Sequence, residues 1–220
     1  MDRRGFLSRS GLAIGALATS GGLAGLIDSR LASAGREGGR IALTFDDGPT
    51  PEITSWTLHQ LKKHNAKATF FCIGNNIKKY PEIFQSIIEE GHAIGNHTHN
   101  HVKGWTTKTK DYIENVLEAQ NIIEAKTKTN LFRPPYGQIS PKQGKKLIAL
   151  DYKIIMWDVL SFDWDNTISN DECYTNVISK AKNGSIIVFH DSVKASERMQ
   201  HTLPKILEYF SARGYSFQSL

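Results

Sequence analysis

The residues able to do chemistry in this chain fall into five short polar runs. Asp46 and Asp47 stand side by side in Thr44-Phe45-Asp46-Asp47-Gly48-Pro49. Consecutive side chains leaving a strand point in different directions, so this pair suits two different jobs better than the opposed carboxyls of a glycosidase. One can bind a metal while its neighbour faces the metal-bound water. Asp-Gly and Gly-Pro are also common turn dipeptides, so a solvated turn is the competing reading. Asn96-His97-Thr98-His99-Asn100-His101 places three histidines in five residues. On a helical turn His97 and His101 would share a face and grip one ion, whereas a surface His tract is the plainer alternative. Two histidines and one Asp leave a coordination position open, as a catalytic zinc requires. His190 ends the apolar run Ile186-Ile187-Val188-Phe189, where a lone His is ordinarily structural and gains weight only from its company. Arg133-Pro134-Pro135-Tyr136-Gly137 is either a rigid turn or a device that aims Arg133 inward and presents a backbone N–H to a reacting oxygen. Asp163-Trp164 is the fifth run.

The elements that must position these runs alternate along the chain. Strands are expected at 40–45, 67–72, 92–95, 131–133, 152–157, 185–189 and 215–218. Helices are expected near 51–64, 81–91, 108–126, 141–150, 171–182 and 196–211. In the last of these, Met199, Leu203, Ile206, Leu207 and Phe210 recur on one helical face, but Pro204 predicts that the regular helix begins only near Leu203. Such alternation implies a mostly parallel sheet. About seven repeats suggest an α/β fold of the small, distorted (β/α)-barrel kind, an open doubly wound sheet being the alternative. No Gly-x-Gly-x-x-Gly follows the first strand, so a dinucleotide site has no support. Each polar run falls at a strand end, and in a parallel barrel those ends share the C-terminal rim, where such folds place their chemistry.

Taken together the runs resemble the polysaccharide deacetylase family that shares the NodB homology domain, carbohydrate esterase family 4. The resemblance spans about residues 40–220, with the motifs in the family order. It implies that Asp47, His97 and His101 hold one divalent ion, usually zinc, with Co2+, Ni2+ or Mn2+ as alternatives. It further implies Asp46 as general base, His190 as general acid, Arg133 positioning Asp46 and Asp163 orienting His190. Tyr136 would lend its backbone N–H to the oxyanion, and Trp164 and Val188 would wall the acetyl methyl. His99 matches no ligand position and is expected nearby or exposed. Leu160 and Val188 stand where many members carry Asp and Leu, differences that bear on pocket shape rather than on ligands or proton donors. The implied reaction is removal of N-acetyl groups from a peptidoglycan- or chitin-like glycan. The competing readings are an O-acetyl esterase on a glycan such as acetylxylan and a non-catalytic glycan-binding protein.

Composition narrows the remaining classes. The chain has 220 residues, 40% of them hydrophobic, which suits one domain with one core. Residues 1–34 carry Arg3-Arg4, a charge-free stretch from Gly11 to Ile27 diluted by five glycines, and the small-residue site Ala32-Ser33-Ala34. That pattern is a twin-arginine-type export signal, which predicts transient contact with that machinery, cleavage near Ala34 and a periplasmic or extracellular domain over 35–220. The net charge of +5 falls to +3 without the signal's four arginines and two aspartates. The basic residues are interspersed with acidic ones, so no nucleic-acid partner is expected. A monomer is expected. Cys72 reads as a buried small hydrophobe, and pairing with Cys173 is the minor alternative.

Overall fold

The structure is a computed structural model and describes residues 39–220. The export signal expected over residues 1–34 lies outside the described residues. In chain order the elements are β1 (Arg40–Asp47), α1 (Ile53–Lys63), β2 (Ala68–Cys72), α2 (Gly74–Lys79), α3 (Pro81–Glu89), β3 (Ala93–Asn96), α4 (Thr109–Glu124) and β4 (Leu131–Phe132). A single 3-10 turn (Pro135–Gly137) follows, then α5 (Pro141–Ala149), β5 (Lys153–Ile154), β6 (Val159–Leu160), α6 (Asn170–Ile178), β7 (Ile186–His190), α7 (Ser196–Ser211) and β8 (Ser216–Phe217). The strands run in the order β5-β4-β3-β2-β1-β7-β6, with β8 beside the start of β1, and every pairing is parallel. Among the described residues β5 and β6 do not pair, so the sheet curls into a distorted (β/α) barrel with one open seam.

Strand alternation sorts the side chains into two faces. Leu43 and Phe45 of β1 join Phe70 of β2 and Phe189 of β7 in the main core under the helices. The Phe45 ring lies 5.0 Å from that of Phe70 and 6.1 Å from that of Phe189. Ala42, Phe71 and Ile186 cluster separately on the opposite, inner face. Asp46 follows Ala42 and Thr44 on that inner face, so the packing that sinks Phe45 delivers Asp46 to the barrel mouth.

Local chemistry sets the helix starts. Ser140 and Ser169 each close a reciprocal capping box, with Gln143 and Glu172 respectively. Pro81 and Pro141 occupy first turns, where a missing N–H costs nothing.

Four local expectations are corrected. The α2 helix was not expected: its six residues Gly-Asn-Asn-Ile-Lys-Lys are too few and too polar to show a period. The stretch expected as one strand over 152–157 is β5 alone, and the chain then crosses the seam before β6 pairs with β7. Helix α7 is continuous through Pro204 from Ser196 to Ser211. An internal proline costs about 3 kcal/mol, whereas each fully buried Met or Leu contributes about 1.5–3 kcal/mol. Met199 and Leu203 before the proline and Ile206, Leu207 and Phe210 around or after it are all buried, so packing prevails over the lost hydrogen bond. The histidine run, finally, is a loop and not a helical turn, with Thr98 and His101 in the left-handed region at φ 64° and 54°. Both cysteines are free and buried, Cys72 in β2 and Cys173 in α6.

Candidate active site

The rim gathers all five polar runs. Asp46 and Asp47 are the last residues of β1, and Asp47 takes a left-handed backbone at φ 83° that swings its side chain away from that of Asp46. The Oδ1 of Asp47 lies 3.2 Å from His101 Nε2 and 3.8 Å from His97 Nε2. One donor atom from each of these three residues falls within 4.8 Å of the others. Asp47 Oδ1 is buried and has no hydrogen-bond partner, which is costly unless something else meets it. His97 Nδ1 contacts the Arg133 carbonyl at 2.7 Å, which places the ring N–H there and leaves Nε2 as a free lone pair facing Asp47. Burial holds His97 down at about pKa 4 against the pull of Asp46 and Asp47, so the imidazole is neutral, as a ligand must be. Burial disfavours charge on Asp47 as well, yet His101, His190 and His97 hold its carboxyl well below the usual range. A carboxylate oxygen, the Nε2 lone pair of His97 and a ring nitrogen of His101, gathered within 4.8 Å, fit one divalent ion.

Asp46 sits beside this triad, 3% exposed. Its Oδ1 accepts a hydrogen bond from Arg133 Nη1 at 2.7 Å. Arg133 is fully buried, and its guanidinium also donates to Thr44 Oγ1 and to the carbonyls of Ile155 and Met156, at 2.7, 3.2 and 3.1 Å. It lies 4.1 Å over the Phe71 ring. Four hydrogen bonds from one planar group thus fix the guanidinium, and one of them holds the Asp46 carboxylate. Next door, His190 is the register partner of Asp46 across β1 and β7. Its Nδ1 lies 2.8 Å from Asp163 Oδ1, while its backbone N–H donates to Asp163 Oδ2 at 2.7 Å. Burial alone would lower the His190 pKa, but Asp163, with Asp47 and Asp46 behind it, lifts it to about 9.

The geometry and the sequence pattern of residues 34–155, which matches that of the polysaccharide deacetylases, point the same way. The chain belongs to the polysaccharide deacetylase family. Among its relatives is a peptidoglycan-N-acetylglucosamine deacetylase of Bacillus cereus, 36% identical over 82% of this chain and 66% of its own length. The fold of a peptidoglycan N-acetylglucosamine deacetylase crystallised with a hydroxamate-type benzamide matches with a TM-score of 0.78 and 34% identity, over 82% of this chain and 86% of that one. A carbohydrate esterase family 4 domain of a multidomain xylanase, from the hindgut metagenome of Trinervitermes trinervoides, matches with a TM-score of 0.76 and 29% identity, over 83% and 88%. The chain therefore spans just under two thirds of the Bacillus cereus relative.

Within this deacetylase fold the remaining expected residues take distinct places. Tyr136 adopts φ 58° and ψ 11° in the turn after β4, and its ring lies 4.6 Å from that of His101. Trp164 meets the His190 ring edge-on at 4.7 Å. Val188 is 1% exposed, two residues below His190 on the same strand face. His99 is buried and turned outward, its Nε2 3.1 Å from Glu118 Oε1.

Three supports escaped sequence reasoning. Asp191 is fully buried and accepts from Gly48 N–H at 3.0 Å and Thr54 Oγ1–H at 2.5 Å, pinning the turn after Asp47. Burial lifts its pKa to about 7. Asn96 ties the His loop to α4 through Val116 O and Gln120, and its Oδ1 accepts from Thr98 N–H. Asn115 Oδ1 accepts from the N–H groups of His99 and Asn100. The only signal for Asp191 was its position beside His190 at a strand end, and for Asn96 its place beside His97; Asn115 had none.

Proposed function

We propose that the protein is a metal-dependent hydrolase that removes N-acetyl groups from the amino sugars of a peptidoglycan-type glycan. The observation that carries this reading is the placement of Asp46 and His190 as register partners beside the Asp47, His97 and His101 donor atoms. A carboxylate base and a protonated imidazole acid thus flank one metal-ligand cluster. The export-signal pattern in the sequence accords with a substrate outside the cell.

Asp47, His97 and His101 would hold the ion. Zinc, or Co2+, Ni2+ or Mn2+ in its place, supplies a Lewis acid for the acetyl carbonyl and acidifies water. Asp46, held in place by Arg133, accepts the proton of the attacking water. The Tyr136 backbone N–H stabilises the developing oxyanion; one such donor is typically worth about 3 kcal/mol in the transition state. His190 is charged at neutral pH and gives its proton to the departing nitrogen, which an amide requires because an amide anion leaves too poorly. Asp163 keeps that proton on the correct edge of the ring by occupying Nδ1. Trp164 covers the imidazole and limits water near it.

The test is acetate release from N-acetylated muropeptides and chitooligosaccharides by zinc-loaded protein. Asp46→Asn and His190→Ala should each lower kcat by about 10²- to 10⁴-fold with the ion retained. Full activity in either variant removes that residue from its role. The xylanase-borne relative favours one second reading, an esterase acting on O-acetyl groups of xylan. An ester leaving group needs the acid less, so faster turnover of acetylxylan, with little loss in His190→Ala, would establish that reading instead.

A further inference from the structure

Arg198, in the first turn of α7, belongs to none of the five polar runs. It is 7% exposed, and its guanidinium donates from Nε to the Asp163 carbonyl at 2.8 Å and from Nη2 to Asn166 Oδ1 at 2.5 Å and the Lys194 carbonyl at 3.4 Å. All three acceptors are neutral oxygens. A guanidinium placed this deep with no carboxylate among its hydrogen-bond acceptors, Asp165 being a charge neighbour only, is expensive, and its fork of donors is what distinguishes it from a neutral side chain of similar length.

The segment it holds needs an external tie. The β6–β7 pairing ends at Leu160 and Val188, and one further bond runs from Ser161 N–H to the Val188 carbonyl. Beyond that point Phe162 sits in the left-handed region at φ 60°, a conformation that persists only where surroundings enforce it. Asp163 comes next, with both carboxylate oxygens on His190, and Trp164 follows with its ring against the same imidazole. The backbone of Asp163 is held by Ser161 Oγ on its N–H side and by Arg198 on its carbonyl side. Displacing that carbonyl moves both groups that touch the imidazole.

We propose that Arg198 is the positioning residue of the general acid, bracing the Asp163-Trp164 segment from α7 so that His190 is held at its proton-donating edge. The inference rests on the catalytic reading above. Arg198 moves no proton itself and touches neither the base nor the metal ligands. A displacement of about 1 Å in a reacting group is enough to cost on the order of 10²-fold in rate.

The experiment compares wild type, Arg198→Ala, Arg198→Lys and Asn166→Ala as zinc-loaded full chains. It reads kcat, KM, zinc affinity, the pH profile and the His190 Nδ1–H proton resonance without substrate. Arg198→Ala should lower kcat on the order of 10- to 100-fold while KM and zinc affinity stay within about twofold. Its alkaline limb should move to lower pH, and the Nδ1–H resonance should broaden or move upfield. Arg198→Lys should recover part of both effects. A wild-type resonance and pH profile in Arg198→Ala overturns the proposal, as does a fall in zinc affinity that tracks kcat. If Arg198→Ala does not fold, Asn166→Ala removes one contact of the same brace and must show the same shifts at smaller size; wild-type behaviour there also overturns it. Should wild-type protein release no acetate from any glycan, the catalytic reading fails, while the resonance still decides whether Arg198 orients His190.

Discussion

Both carboxylate oxygens of Asp163 go to His190, so this one residue sets the angle of the ring and its charge together. Asp163→Asn keeps the shape but has only one acceptor for two donors, and its amide N–H group must then face a ring or backbone N–H. The His190 pKa is raised from 6.5 to about 9, so the acid is protonated below that value and is lost as pH rises through it. The same shift stabilises the fold: its contribution is complete below about pH 6.5 and disappears as pH climbs through about 9. Asp163→Asn should therefore lower kcat by about 10²-fold or more and bring the alkaline limb of the rate profile to lower pH. A limb that stays in place would assign the raised basicity of His190 to Asp46 and Asp47 instead.

At the scale of elements, the turn that presents Asp47 is locked by a close fit. A Cβ on Gly48 would lie 2.0 Å from Asp191 Oδ2, a clash the turn cannot absorb because Gly48 N–H and Thr54 both bind that carboxylate. Gly48→Ala should cost about 1–3 kcal/mol of stability and weaken metal binding by about 10-fold or more, read by thermal melting and metal titration. Unchanged values in both would mean that Asp191 does not set the ligand turn. The strand ends were legible because β-branched and aromatic runs stop at polar residues: Asp46, His97, Arg133 and His190 end or directly follow β1, β3, β4 and β7, whereas Asp163 follows β6, which no expected strand covered. The clamp was illegible because it joins residues that are 143 apart through a backbone amide, which leaves no mark on composition or period. The loop form of the His run was hidden for a related reason: i, i+4 spacing suggests a helix, but the loop is held by Asn96 and Asn115 from other elements. Helix α2 depends on Gly74, where a Cβ would meet His99 Nδ1 at 2.6 Å and the Ala119 backbone at 2.9 Å, a constraint visible only once α4 is beside it.

For the molecule as a whole, an ion held in the proposed site would meet the orphaned Asp47 oxygen and so couple metal binding to the fold. Zinc at about 100 times its dissociation constant should stabilise the folded chain by about 2.7 kcal/mol, and a chelator should reverse the gain. Calorimetric melts with and without zinc check this, and Asp47→Ala should remove the difference; a melt indifferent to zinc would exclude a site in this triad. The central place of β1 in the sheet also turns position along the chain into order in time. Its pairing with β2, and that of β2 with β3, joins neighbours in sequence, so Asp46, Asp47, His97 and His101 can come together early. The pairing of β1 with β7 waits for chain some 143 residues further on, as the Thr44 to Ile187 contact records. Local contacts form faster than distant ones. On the proposed roles, the ion's ligands and the base can therefore assemble in a nascent chain before the proton donor arrives with β7.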